Sequence, residues 1–164
     1  IELNNLHERV SVVQADMKNI FNEIKPGSVE TVLTNPPYFP LTETTKTNID
    51  KHYEIARHEL MINLPELAQI ANKLLKNNGK VYMVHRPERL ADIFAAFAAR
   101  KLMIKRVQFV YGKANREANM VLIEAIKSGR PGGVRIMPPL IAYTDDNDYT
   151  SEVHDILYGK AWHE

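Results

Sequence analysis

Val29-Glu30-Thr31-Val32-Leu33-Thr34, followed at once by Asn35-Pro36-Pro37-Tyr38, is the stretch on which the reading of this chain turns. The first six residues are short, β-branched and apolar enough to read as a buried strand. The next four cannot continue it. Each proline fixes φ near about −65° and removes a backbone donor, so the turn is rigid and presents acceptors only. Asn35 adds a side-chain carbonyl to those acceptors, and Tyr38 adds a flat aromatic face. Asn-Pro and Pro-Pro are also ordinary turn punctuation. The position carries more weight than the tetrapeptide, because open α/β sheets bind ligands beyond the carboxyl ends of their strands.

On either side of this stretch the pattern alternates. Val10–Ala15 reads as a strand, with Asp16 as cap of a brief helix through Ile24 and Lys25-Pro26-Gly27-Ser28 as a turn. Residues 39–60 are polar and Thr-rich without an apolar period, a loop of functional length that is expected to be mobile. Apolar residues at helical spacing over 65–76 predict a helix stopped by Asn77-Asn78-Gly79. A strand at Val81–Val84 and a helix opened by Pro87, with Leu90, Ile93, Phe94 and Phe97 inward, come next. Strands at about 104–110 and 119–126 come after them, separated by the polar segment Tyr111–Ala118. Beyond the turn at Arg130-Pro131-Gly132-Gly133, a short helix near 151–158 closes the chain. The order predicts an α/β sheet, parallel at first and ending in an antiparallel pair.

Composition sets limits on function. With 164 residues, 45% hydrophobic and 25% charged, the chain reads as one globular domain. It has no apolar run of membrane-spanning length, no cysteine, and six histidines without ligand-like spacing, so neither a membrane span, a disulfide nor a metal is expected, and a cytoplasmic location fits. The net charge of +1 does not announce a polyanion partner. Any such case rests on local clustering, as at Lys101, Lys105, Arg106, Lys113 and Arg116.

Four segments together resemble one family. Asn35-Pro36-Pro37-Tyr38-Phe39, Ile55-Ala56-Arg57-His58-Glu59, His85-Arg86-Pro87-Glu88-Arg89-Leu90 and Arg116-Glu117-Ala118-Asn119 are similar to segments of bacterial tRNA adenine-N6 methyltransferases that act beside the anticodon of valine tRNA. The likeness runs from about Val10 to Tyr158. It implies a class I (Rossmann-like) methyltransferase sheet of order 3-2-1-4-5-7-6 with strand seven antiparallel, S-adenosyl-L-methionine as methyl donor, and tRNA as partner. It places Asn35, Pro36 and Tyr38 at the methyl-transfer centre, with Pro37 and Phe39 beside the base. Asp16, Met17 and Asn35 would hold the donor, while Arg57, His58, Arg86, Arg89 and Arg116 would meet the nucleic acid. The first motif is shared with protein-glutamine N5-methyltransferases, which remain an alternative, as does a catalytically silent RNA-binding fragment.

The chemistry suits those residue types. An exocyclic amine of adenine is a poor nucleophile because its lone pair is delocalised into the ring. Two acceptors, the Asn35 side chain and the Pro36 carbonyl, would take its hydrogens and aim the lone pair at the methyl group. Such bonds strengthen as positive charge develops on nitrogen.

The resemblance also marks what the chain lacks. The family's glycine-rich turn after strand one, and the acidic residue after strand two, have no counterpart among the seven glycines and their flanks. Residues 1–164 are therefore expected to form a partial catalytic domain, without strands one and two and the cofactor-binding half they carry. Strands at 10–15 and 29–34 would each lack a neighbour in such a fragment, so a longer polypeptide is expected, and its intact mass would show it.

Overall fold

The computed structural model describes residues 1–36 and 63–159. Six strands, β1 (Val29–Thr34), β2 (Leu75–His85), β3 (Leu102–Tyr111), β4 (Ala118–Lys127), β5 (Arg135–Ile136) and β6 (Leu140–Ile141), form one sheet. Among the described residues three α-helices accompany them: α1 (Leu64–Leu74), α2 (Leu90–Ala99) and α3 (Ser151–Tyr158). The expected loop 39–60, and with it Pro37, Tyr38, Phe39, Arg57 and His58, lies outside the described residues.

The strand order is β1-β2-β4-β3. β1 runs parallel to β2, and β4 is antiparallel to both β2 and β3. This is the 4-5-7-6 portion of the expected class I methyltransferase sheet, with the last long strand inserted antiparallel between the two before it. β5 and β6 were not foreseen as strands. They run parallel to the outer edge of β3, and Met137-Pro138-Pro139 separates them because neither proline can donate to the ladder.

Local sequence explains the element boundaries. α1 begins with a capping box in which Asn63 Oδ1 accepts the Glu66 N–H at 2.9 Å and the Glu66 carboxylate accepts the Asn63 N–H at 3.4 Å. Its apolar stripe, Leu64, Leu67, Ala68, Ile70, Ala71 and Leu74, is buried. The helix ends earlier than the expected Lys76, since Leu75 has turned extended and already pairs with Val29. Asn77-Asn78-Gly79 is thus a bulge inside β2 rather than a helix stop. The register jumps there from Val29–Leu75 to Thr31–Lys80, with Asn78 at φ 63°.

The expected strand at 10–15 does not form. Those six residues are irregular and exposed, Val12 at 81%, with no ladder among the described residues. A β-branched run becomes a strand only beside another strand. The helix after Asp16 is a six-residue 3₁₀ helix, Met17–Asn22. The helix after His85 also starts as a 3₁₀ turn, Pro87–Arg89, before α2.

Both α1 and α2 pack on one face of the sheet. Val81 and Met83 of β2, Val121, Ile123 and Ala125 of β4, and Leu102, Ile104 and Val107 of β3 meet Leu67, Ala71, Ile93 and Phe97 from the helices. The opposite face carries the alternate residues and is open among the described residues: Leu33 is 79% exposed, and Tyr82 and Val84 are half-buried. Glu124 lies on it at 8% exposure, 3.9 Å from the Lys80 ammonium and opposite Arg106 in the ladder. A cavity of about 350 Å³ spreads over this face between Leu33, Tyr82, Gln108, Leu122 and Met137.

At Gly79 a side chain has nowhere to go. A Cβ there would stand 2.9 Å from the Lys76 carbonyl oxygen and 3.0 Å from that of Glu30, both backbone. Gly79→Ala is expected to lower the free energy of urea unfolding by about 1–3 kcal/mol, as overpacking does. Gly112→Ala, whose nearest neighbour would be 3.9 Å away, serves as the control and should unfold like the parent.

Candidate functional site

The parallel strands β1, β2 and β3 all end at one edge of the sheet, and β4, being antiparallel, begins there. Four sequence-predicted positions are placed by that arrangement. Asn35 and Pro36 leave β1, Arg86 leaves β2, and Arg116 lies in the connection that returns to β4. The register sets Thr34 beside Met83, so the next residues, Asn35-Pro36 and Val84-His85, emerge side by side. Asn35 is exposed at this edge while Pro36 is buried.

His85 closes the β2 end of the site. It is 2% exposed, and its Nδ1 accepts the N–H of Arg86 at 2.8 Å. That bond assigns the ring hydrogen of the neutral form to Nε2. Burial, above all, pushes the imidazole below its ordinary pKa, and the Arg89 charge acts the same way; the Arg86 backbone bond and the carboxylates of Asp92 and Glu88 oppose it. His85 is therefore a neutral, oriented group rather than a cation.

The arginines are arranged differently from one another. The Arg86 guanidinium reaches across β4 to donate to the Asn119 carbonyl at 3.1 Å, which ties the ends of β2 and β4 together. Arg89 Nε binds Asp92 Oδ2 at 2.6 Å, one turn along the start of α2. Arg116 is exposed in a turn closed by its own N–H, which donates to the Lys113 carbonyl.

Met17 opens the 3₁₀ helix and Asp16 caps it; the principal contact of that helix is α1. Asp16 Oδ1 accepts the Lys18 N–H at 2.9 Å, so the expected cap is present. At the other end Phe21 lies 5.4 Å beneath the Lys73 ammonium. Of the basic segment, Lys105 is committed to the carbonyls of Arg130 and Gly132 at 2.6 and 2.7 Å, and Lys113 to that of Asp145 at 2.9 Å. These two ammonium groups hold loops of the chain itself. Among the described residues no cluster of metal-ligating side chains occurs, and no helix is long and apolar enough to cross a membrane.

Sequence reading missed one component of this edge. The segment after β6 forms a tight hairpin carrying Tyr143 and Tyr149, bound to the end of β3. The pattern Tyr143-Thr144-Asp145-Asp146-Asn147-Asp148-Tyr149, turn residues between two aromatics, was the signal available.

No protein-family model and no curated protein sequence matches the chain. Solved structures do. A protein from Agrobacterium tumefaciens described as a predicted O-methyltransferase superposes with a TM-score of 0.66 at 19% identity, over 91% of this chain and 60% of its own length. A protein from Thermus thermophilus described as a candidate DNA modification methylase gives 0.50 at 14% identity, over 87% of this chain and 71% of its own. The fold is that of class I methyltransferases, and the chain spans about three-fifths of the length of the first of these structures.

The buried His85 makes stability depend on pH. Its folded pKa is lowered, so the unfolded chain binds more protons once pH falls below the ordinary histidine range, and stability is lost on acidification. Urea unfolding between about pH 8 and pH 5.5 should show a smaller loss of stability for His85→Asn than for the parent. Parallel curves would assign the acid loss to other groups.

Proposed function

We propose that this chain is the acceptor-gripping part of an S-adenosyl-L-methionine-dependent methyltransferase that modifies the exocyclic N6 of an adenine in tRNA. The observation that carries the proposal is the emergence of Asn35-Pro36 beside His85-Arg86 at the carboxyl edge of a 4-5-7-6 sheet. Ligands of open α/β sheets sit at that edge. The two similar structures are both described as methyl-transfer proteins, which supports the reaction class. The Arg-bearing segments at 86–89 and 116 favour a nucleic acid over a protein amide as acceptor.

In this reading the Asn35 side-chain oxygen and the Pro36 carbonyl accept the two N–H bonds of the target amine. Its lone pair is thereby localised and directed at the methyl carbon. S-adenosyl-L-methionine supplies that methyl from a sulfonium; the nitrogen–carbon bond forms as the carbon–sulfur bond breaks, and the extra proton on nitrogen passes to water. Asp16, exposed and with one carboxylate oxygen committed to its cap, presents the second oxygen to the donor's adenine amine, next to the Met17 backbone. Tyr38 and Phe39 stack on the base and Pro37 keeps the turn rigid, with Arg57, His58, Arg86, Arg89 and Arg116 meeting phosphate. Neutral His85 props the strand end and takes no proton from the substrate.

Residues 1–164 act, on the same reading, as a partial catalytic domain. Among the described residues β1 is paired on one side only and the run Val10–Ala15 has no strand beside it. The remaining cofactor contacts are assigned to sequence beyond these residues.

The test is methyl transfer from labelled donor by the full-length protein to unmodified tRNA and, separately, to a peptide-chain release factor. Label is expected in tRNA, falling on the order of 10²–10³-fold in Asn35→Ala as for loss of one preorganised polar contact to the reacting group. Label confined to release factor would move the assignment to glutamine methylation. Label on tRNA that survives Asn35→Ala would remove Asn35 from the mechanism.

A further inference from the structure

We infer that the stacked pair Tyr143–Tyr149 is a second nucleobase platform, on which an unpaired base of the RNA stacks at a distance from the methylation centre. This rests on the reading of the chain as an RNA methyltransferase, and it concerns residues to which that reading gave no role.

The pair is built rather than incidental. Thr144 N–H donates to the Asp148 carbonyl at 2.9 Å and Thr150 N–H to that of Ala142 at 3.1 Å, on either side of the Tyr143–Tyr149 bridge. That pattern makes the two tyrosines a non-hydrogen-bonded antiparallel pair, the geometry in which facing side chains come closest. Their rings stack with centroids 5.1 Å apart and planes 19° from parallel. The hairpin is tight, with Asn147 at φ 68° and its N–H on the Thr144 carbonyl.

It is also fastened to the functional edge. Ala142 and Tyr143 donate to the carbonyls of Tyr111 and Gly112, Thr150 Oγ1 donates to Ile141, and Lys113 Nζ to Asp145. These bonds fix the hairpin backbone that carries the two tyrosines, which stay 39% and 47% exposed. Burying the rings would have stabilised the fold more than leaving them wet, so the arrangement suits a surface that offers a π face to something else.

The sheet fixes the distance. β6 is four strand steps from β1 through β3, β4 and β2, which at roughly 4.8 Å each sets the platform about 19 Å from Asn35 along the same edge. Arg86 and Arg116 lie between them in strand order. Asp145, Asp146 and Asp148 at the hairpin tip repel phosphate, so the platform receives a base face and the arginines receive the backbone. Unpaired bases splayed onto aromatic rings are the common mode of RNA recognition.

The experiment measures affinity of the full-length protein for a fluorescein-labelled oligoadenylate of about 12 nucleotides, within the span of a single-strand site, over a range of salt. Tyr143→Leu with Tyr149→Leu is expected to weaken binding by about 10-fold or more at unchanged salt slope, as loss of base stacking does. Arg116→Ala should instead flatten the slope by roughly 0.7. The double phenylalanine variant, which keeps both rings, should stay within about 2-fold of the parent. Should the leucine pair disturb folding, Tyr149→Trp serves in its place: added oligonucleotide should quench its fluorescence beyond the change seen in the parent, which carries Trp162. Equal affinities for parent and leucine variant, no binding by either, or no excess quenching each overturn the platform. Equal affinities with altered self-association on sedimentation would assign the surface to a protein contact. Methyl transfer with Asn35→Ala reads the catalytic assignment separately, so the two fail independently.

Discussion

Everything in this molecule depends on β4 lying antiparallel between β2 and β3. A strand in that place must satisfy its backbone on both sides, and it does so through two long ladders, Lys80–His85 on one side and Leu102–Tyr111 on the other. Its inward residues Val121, Ile123 and Ala125 are at most 2% exposed, which makes it the centre of the packed face. Because β4 runs against its neighbours, the connection from β3 returns at the carboxyl edge. Arg116 and Asn119 are thereby delivered to the edge where Asn35 and Arg86 already emerge. A parallel strand in that place would have sent this connection to the opposite edge.

The site inherits its rigidity from this arrangement. Asn35 is the residue after a strand, Arg86 is latched across β4 to the Asn119 carbonyl, and His85 is locked in one tautomer by the backbone beside it. If the chain carries out the methyl transfer proposed above, such fixed acceptors serve it, since in-line displacement needs geometry more than proton traffic. The neutral state of His85 fits that requirement. On the proposed reading, a cation at the same place would repel the positive charge that grows on the accepting nitrogen.

Much of this was legible in the sequence. The strand at 29–34 had the expected boundaries, the α3 helix matched its expected span, and Phe97 entered the core as its spacing required. The failures share a cause, which is that pairing partners are not encoded locally. Val10–Ala15 has strand composition yet lies exposed, because composition cannot supply a neighbouring ladder. Asn77-Asn78-Gly79 has the composition of a helix stop, but Leu75 had already been taken into pairing with Val29. β5 and β6 are two residues each, too short for any periodicity, and exist only because the β3 edge was available. Of the proposed site, Asn35, Arg86 and Arg116 were marked by motif, whereas the Tyr143–Tyr149 hairpin at the same sheet edge was passed over because its tyrosines are separated along the chain and meet only across a turn.

If the acceptor base sits at the ends of β1 and β2, amide chemical-shift mapping of the full-length protein titrated with adenosine 5′-monophosphate will locate it there. The largest shifts are expected at Asn35, His85, Arg86 and Asn119, with the opposite edge around Gly27, Gly79 and Ser128 unmoved. Shifts concentrated at that opposite edge, or none at the strand ends under saturating nucleotide, would contradict the assignment.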